Sequence, residues 1–510
     1  LIVKALFRGG IVYLVGAGPG DPGLLTVRGR ELLDLADVVV YDNLANPKLL
    51  SYCPQAQTIY VGKKAAQHTL SQEQINELLI SHAKNGRRVV RLKGGDPLIF
   101  GRGGEEAQAL HDANIPFEIV PGITAALAAS AYAGIPLTHR DFNSSITLIT
   151  GHEKESDDIS ADLDWPTLAK LPAIVFYMGV KSLQKICDNL IAHGMNAATP
   201  AATIQWGATP RQRTVAATLA DLPKKVAAAG IAAPAITIVG KIVSLRPIMN
   251  WFETRPLFGQ TIAVTRTRQQ ASDLAVRLEN LGARVIEAPT IELIEPENWK
   301  PVDAALTSAS IYDWIIFTSA NGVRFTARRL RLSGHDARIF GPAKIAAIGD
   351  ATAAAIRDQL CLNVDLCPKE FVAEALADAL LSRNAIAGKR FLLLRADIAR
   401  PILREKLRQA GAAEVNDVAI YQTTLPKALP SELIDALSRG EVNWITFTSS
   451  STAKNFTTLL GGNYREQLEK IKIASIGPIT TQTLDELGLK PTVQADVFNV
   501  EGLISAILRG

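Results

Sequence analysis

Cysteine is scarce in this 510-residue chain: Cys53, Cys187, Cys361 and Cys367 are all it has. None forms a CxxC pair, and the Cys361/Cys367 spacing matches no common metal motif. A disulfide framework and a cysteine metal centre are therefore not indicated, and buried free thiols in a reducing compartment are the reading. Long hydrophobic runs are missing too: no stretch reaches the roughly 18 apolar residues of a membrane span. The opening LIVKALFRGG has one lysine, a short apolar run and no small-residue cleavage site, which makes a poor signal peptide. Charge of one sign is also lacking, since 54 Lys and Arg against 50 Asp and Glu leave only +4. No nucleic-acid partner is expected from that balance, although local basic pockets for an acidic small molecule are compatible with it. A cytoplasmic protein without membrane segments is expected.

What is present is ordinary globular composition, 47% hydrophobic and 20% charged, in a chain too long for a single core. Strand-like runs alternate with amphipathic helical stretches: IVYLV, DVVVY, RRVVRL, FEIVP, SITLIT, AIVFYM and AITIVG, then TIAVTR, WIIFTS, KIAAIG, FLLLRA, WITFTS and KIASIG. That rhythm predicts an α/β class with largely parallel sheets. Composition shifts at RPIMNWFETRPLFGQ (246–260), which places one domain at 1–250, a linker at 251–256 and a second domain at 257–510. The second domain repeats itself. DWIIFTSANGVRF (313–325) resembles NWITFTSSSTAKNF (443–456), and KIAAIGDATAAAI (344–356) resembles KIASIGPITTQTL (472–484). Arg266 precedes Gly282 as Arg395 precedes Gly411, and PKEFVAEALADAL (368–380) pairs with ADVFNVEGLISAI (495–507). Matches in one order imply a duplicated α/β unit whose two lobes would face a common cleft.

The first domain opens on a glycine turn, IVYLVGAGPGDPGLLTVRG (11–29). It is only part of a dinucleotide fingerprint. GxGxxG would need glycine at 21, where Asp21 stands, and a carboxylate is awkward in a turn meant to cradle pyrophosphate. Further motifs follow: LKGGDPLIFGRGGEE (92–106), VPGITAALAASAYAGIPLTHR (120–140), TGH (150–152), YMG (177–179) and IQWGATPRQR (204–213). In this order and spacing, residues 11 to 247 closely resemble the S-adenosylmethionine-dependent uroporphyrinogen-III C-methyltransferases. The resemblance implies a two-lobed methyltransferase fold, a homodimer formed through this half, and S-adenosylmethionine as methyl donor, leaving as S-adenosylhomocysteine. It puts the donor at Pro19, Gly94, Gly95, Asp96, Thr124, Ala125, Met178 and Ala208. Two glycines at a strand end would let the backbone approach the donor closely. The reaction needs carbon, methyl and sulfur aligned for in-line displacement, and then a group to take the pyrrole proton.

Asp42 falls on the family's proton acceptor, at a strand's carboxyl end; the bland reading is a capping aspartate. Lys63, in YVGKK, matches a lysine tied to substrate handling, against a solvated surface lysine. The family often has a basic residue and a glycine next, where this chain reads Lys64-Ala65-Ala66. Arg102, His139, Arg140 and Arg211 are candidates for the carboxylates of uroporphyrinogen, with structural ion pairs as the equal alternative.

The duplicated half resembles uroporphyrinogen-III synthase over 257–510, through VTR (264–266), FTSANGV (317–323), AIGDATA (347–353), AIYQT (419–423), FTSSST (447–452) and SIGPITTQTL (475–484). The resemblance implies a discontinuous first lobe, 257–290 plus 422–510, around a second lobe at 291–421. The implied reaction closes hydroxymethylbilane to uroporphyrinogen III with inversion of the last ring, a task of folding the substrate correctly. Thr318, Ser319, Thr448, Ser449, Ser450 and Gly477 would face that substrate, helped by helix N-termini, with ordinary N-capping as the alternative. Tyr421 matches the tyrosine suspected of helping the hydroxyl leave, against a half-buried aromatic on a crossover strand. No metal cluster, Ser/His/Asp set or carboxylate pair is evident in this half. The two resemblances support each other, because the product of one reaction is the substrate of the other. Two rivals stand beside this reading: a silent tetrapyrrole-binding second half, and methylation of a later corrin intermediate.

Overall fold

The computed structural model describes residues 10–62, 70–151, 163–266, 268–368, 370 and 373–510, without the side chains of 268–272. The chain forms two compact units, Leu1–Thr261 with Arg277–Arg284, and Ile262–Val276 with Val285–Gly510.

The first unit holds two five-stranded sheets. In one, β1 (Ile11–Gly16), β2 (Val38–Tyr41), β3 (Gln57–Tyr60), β4 (Arg88–Lys93) and β5 (Phe117–Val120) lie in the order β3-β2-β4-β1-β5, all parallel. β1 is buried along its whole length because helices cover both faces, which is why it reads as an unbroken apolar run. The Val27–Leu35 helix packs on one face, and the Gln72–Lys84 and Gly103–Asp112 helices on the other. The chain leaves β1 toward one face and its neighbour β4 toward the opposite face. Their carboxyl ends therefore open a crevice where a ligand fits.

The other sheet combines β6 (Thr147–Thr150), β7 (Ala173–Tyr177), β8 (Pro200–Gln205), β9 (Arg213–Thr218) and β10 (Ala235–Gly240) in the order β6-β7-β10-β8-β9. Only β6 and β7 run parallel; β10 is antiparallel to β7 and β8, and β8 to β9. Largely parallel sheets are expected from the sequence, and the β8–β9 pair departs from that for a local reason. The 206–212 connection is too short for a crossover helix, so β8 must return beside itself. Residues 251–256, expected as a linker, are packed on the first unit. The Trp251 and Phe252 rings lie 5.1 and 4.7 Å from that of Tyr132, and Phe252 is 4% exposed.

The second unit also has two sheets. β11 (Thr261–Val264) pairs in parallel with β18 (Trp444–Phe447), which pairs with β19 (Lys472–Ser475) and so with β20 (Val493–Gln494); β12 (Arg284–Glu287) lies beside β11. β13 (Glu292–Ile294), β14 (Trp314–Phe317), β15 (Lys344–Ala347), β16 (Arg390–Ala396) and β17 (Glu414–Thr424) form the other, ordered β13-β17-β16-β14-β15. β17 stays in this second sheet past residue 421, because Gln422, Thr423 and Thr424 pair with β13. Among the described residues, no helix is long and apolar enough to cross a membrane, and no group of His, Cys, Asp and Glu could hold a metal ion.

Candidate active site

The glycine turn is built by backbone crossing backbone. Gly18 (φ 72°) and Gly95 (φ 70°) exchange hydrogen bonds, with Gly95 N donating to Gly18 O at 2.7 Å and Gly18 N to Gly95 O at 3.2 Å. A Cβ on Gly16 would lie 2.4 Å from Gly122 Cα, and one on Gly122 would lie 2.2 Å from Gly95 O. The carboxylate that made the dinucleotide reading awkward is turned into the protein. Asp21 accepts from Gly23 N at 2.7 Å and from the Tyr132 hydroxyl at 2.6 Å.

The residues assigned to the methyl donor gather around this crossing. Gly95 faces Thr124 Cα and Ala125 N, each 3.7 Å from where its Cβ would be. The Thr124 hydroxyl bonds to that of Tyr177 at 2.7 Å, and Met178 follows Tyr177 at the end of β7. Pro19 adjoins Gly20, whose missing side chain makes room for Thr209 Cγ2 and Ala208 O. Asp96 has a different local task from a side-chain ligand. Its carboxylate accepts from Leu98 N (2.8 Å), Ile99 N (3.2 Å) and Gly122 N (2.9 Å), so it ties two loops together. Gly94 likewise serves an approach to the protein itself, since a Cβ there would lie 2.4 Å from Leu44 Cβ. Met178 (φ 56°) and Ala208 (φ 58°) adopt left-handed backbone at non-glycine positions, and Met178 is 51% exposed. Strain of this kind persists where surroundings over-determine it, as they do at ligand clamps. These residues fit a donor that needs backbone contacts and an apolar wall.

Asp42 follows β2 directly, beside this group. One oxygen accepts from Leu44 N at 3.0 Å and the other from Arg91 Nη2 at 3.2 Å. Behind it lies a charge cluster that sequence reasoning missed. Glu106, fully buried, accepts on Oε1 from Arg91 Nε (3.1 Å), Lys93 Nζ (2.8 Å) and Gln72 Nε2 (3.2 Å), while its Oε2 has no partner. Burial, reinforced by the Arg91 charge, pulls the Lys93 ammonium below its usual pKa despite Glu106. The signal was there to find: two cations at alternate positions of β4 point to one face of a sheet that is otherwise apolar.

The substrate candidates are more dispersed. Arg102, in left-handed backbone, forms a two-point ion pair with Glu105 at 2.9 and 2.6 Å. His139 accepts on Nδ1 from Asp141 N at 3.2 Å, Arg140 is exposed, and the Arg211 guanidinium lies 4.1 Å over the Trp206 ring. Lys63 lies outside the described residues.

In the second unit Tyr421 sits on β17, 6% exposed, stacked on Phe325 with its hydroxyl 3.1 Å from Ser319 Oγ. Burial raises its pKa, against the lowering effect of the Ser319 bond, so the phenol holds its proton at neutral pH. Ser319 also caps the Ala320–Leu332 helix by accepting from Gly322 N at 3.0 Å. Ser449 does the same for the Ser450–Leu460 helix in a capping box with Thr452. Ser450 donates to Ile479 O at 3.2 Å and accepts from Thr483 Oγ1 at 2.8 Å. Gly477 precedes the Pro478–Glu486 helix under the Phe498 ring, and Thr318 and Thr448 are half-buried at the ends of β14 and β18.

Residues 11–223 match the family model of tetrapyrrole (corrin/porphyrin) methylases, and residues 272–505 that of uroporphyrinogen-III synthase HemD. A porphyrin biosynthesis protein HemD of Ruminiclostridium josui is 39% identical over 502 residues, 98% of each chain. The chain belongs to this family of porphyrin biosynthesis proteins. It is a bifunctional enzyme in which an S-adenosylmethionine-dependent C-methyltransferase is joined to a uroporphyrinogen-III synthase. Its first unit is also similar to a siroheme synthase of Pseudomonas entomophila, 54% identical over 248 residues. That match takes in 48% of this chain, and this member of the family spans about half (53%) of that relative. A uroporphyrin-III C-methyl transferase of Thermus thermophilus, solved with S-adenosylhomocysteine, is 38% identical with a TM-score of 0.40, covering 46% of this chain and all of that one.

Proposed function

We propose that the second unit closes hydroxymethylbilane to uroporphyrinogen III with inversion of the last ring, and that the first unit methylates that product twice, giving precorrin-2. The observation that carries the methylation reading is the crossing of Gly18 with Gly95 after β1, with Thr124 and Ala125 against Gly95 and Ala208 against Gly20. S-adenosylmethionine supplies an activated methyl group there. The chain's own work is to align the pyrrole carbon against the donor and take the ring proton, the task assigned to Asp42. Arg91 holds that carboxylate by one oxygen. Arg102, His139, Arg140 and Arg211 are the assigned cations for substrate carboxylates, and Lys63 is assigned to substrate handling.

In the synthase unit, the Tyr421 phenol is assigned to the departing hydroxyl as a hydrogen-bond donor. Its burial and raised pKa favour the protonated state that donation requires. Thr318, Ser319, Thr448, Ser449, Ser450 and Gly477 are assigned to the substrate through hydroxyls and backbone amides. The same reading includes a homodimer through the first unit, a cytoplasmic site of action and no nucleic-acid partner.

The deciding experiment incubates the purified chain with hydroxymethylbilane and S-adenosylmethionine and identifies the tetrapyrroles by chromatography and mass. A dimethylated type III product is expected. Type I porphyrinogen alone would remove the synthase assignment; unmethylated type III would remove the methyltransferase assignment.

A further inference from the structure

We propose that Glu253 is a positioning residue for the donor-binding loop 206–212, acting through Gln212; the inference rests on the assignment of Ala208 to the donor site. The loop is held in a conformation its residues disfavour. Trp206 (φ 50°) and Ala208 (φ 58°) are both left-handed, and Gly207 between them is pressed on the Ala125–Tyr132 helix, where a Cβ would lie 2.2 Å from Ala129 Cβ. A loop of this kind keeps its shape only while its surroundings impose it.

Part of that imposition comes from Gln212, 3% exposed, whose Oε1 accepts from Ala208 N at 2.9 Å. A carboxamide can turn over, and turned over it would meet the Ala208 N–H with another N–H. Glu253 forbids the turn. Its Oε1 accepts from Gln212 Nε2 at 2.8 Å, so the amide's donor end must face Glu253 and its acceptor end must face Ala208. Glu253 is itself fixed. Thr214 Oγ1 donates to the same oxygen at 2.6 Å, and Arg246 pairs with the other while donating to Ala133 O. Both Arg246 and Glu253 are largely buried. The relay thus runs from the helix Arg246–Met249, through a segment outside the sheet, to a backbone N–H in the loop that also abuts Gly20.

The sequence expectation made residues 251–256 a linker, and nothing in the glycine motifs points to Glu253. Its effect is on donor affinity, not on the chemistry, because no reacting group touches it.

The test uses the full-length chain, calorimetric titration with S-adenosylhomocysteine, and hydrogen exchange across residues 204–212. Glu253→Ala is expected to weaken binding about tenfold or more, the effect of leaving buried donors unsatisfied. Glu253→Gln keeps an acceptor for Gln212 but turns an N–H toward Arg246, so it should recover part of the loss and bind more tightly than Glu253→Ala. Ring closure of hydroxymethylbilane should be unchanged in both. Unaltered affinity in Glu253→Ala overturns the proposal. So does an equal loss in both variants accompanied by lost exchange protection throughout the first unit, the mark of a merely structural residue. If S-adenosylhomocysteine binds the parent chain without protecting the 204–212 amides, the placement of Ala208 in the donor site falls instead.

Discussion

Asp42 and Tyr421 illustrate two ways of holding a group ready. Asp42 is partly open to solvent and steered by one buried guanidinium, Arg91, which is in turn held by Glu106. Asp42→Ala should lower methyl transfer sharply, by about a hundredfold or more for loss of a general base. S-adenosylhomocysteine affinity, measured by calorimetry, should be nearly intact; unchanged turnover would remove Asp42 from the mechanism. Tyr421 is enclosed instead, with a hydroxyl partner and a stacked ring. Tyr421→Phe keeps the stacking and removes the donor, so type III formation should slow by roughly tenfold, the worth of one hydrogen bond. Methylation of supplied uroporphyrinogen III should not change. An equal rate of ring closure would make Tyr421 structural.

The individual side chains were unevenly legible in the sequence. Asp42 and Tyr421 stand in motifs whose order along the chain is informative. Gln212 and Glu253 are separated by 41 residues, and neither has a neighbour that announces the pairing, since such a bond exists only once the chain has folded back on itself. Arg91 and Lys93 were readable in principle as paired cations on a buried strand face, but Glu106 had to be seen beside them.

Among the elements, the join between β2 and β4 is fixed electrostatically as well as by its ladder. Asp37, just before β2, accepts from Arg88 N at 2.8 Å and from its guanidinium at 3.0 and 2.7 Å. The Arg88 side chain holds the Asp37 carboxyl below its usual value of 3.8. A carboxyl with a folded pKa below its unfolded one stabilises fully above the unfolded value and loses that contribution as pH falls toward the folded one. Because the Asp37 side chain is 38% exposed, solvent screening limits the contribution to about 1 kcal/mol or less. Asp37→Asn should therefore be less stable by about that amount in urea unfolding at neutral pH. The difference should fade as pH drops below 3.8; a gap that persists in strong acid would assign the effect to packing. Strands such as β1 and β7 were plain from sequence because both their faces are covered and they read as nearly unbroken apolar runs. The antiparallel return of β8 and β9 was hidden, since PAATIQ and RTVAAT are small and polar enough to pass for loop.

Across the whole molecule, each unit has its own cores, in the first unit around Phe176 and Leu92 and in the second around Phe317 and Phe447. A ligand that binds one unit should then stabilise that unit's unfolding step alone. At a free concentration a hundredfold above its dissociation constant, S-adenosylhomocysteine should add about 2.7 kcal/mol to the first unit. Scanning calorimetry should show one transition moving upward and the other stationary; an equal shift of both would mean the units unfold as one.

The discontinuous sheet of the second unit also has a bearing on synthesis. Ala263 pairs with Ile445, so β11 leaves the ribosome long before the strand it needs. The intervening residues take on the order of ten seconds or more to translate. The sheet spanning β13 to β17 is encoded without interruption and can close during that wait, while β11, with only β12 beside it, keeps the edge that β18 will take unpaired. Nascent chains stalled between β17 and β18 are thus the form of this protein with most need of a chaperone.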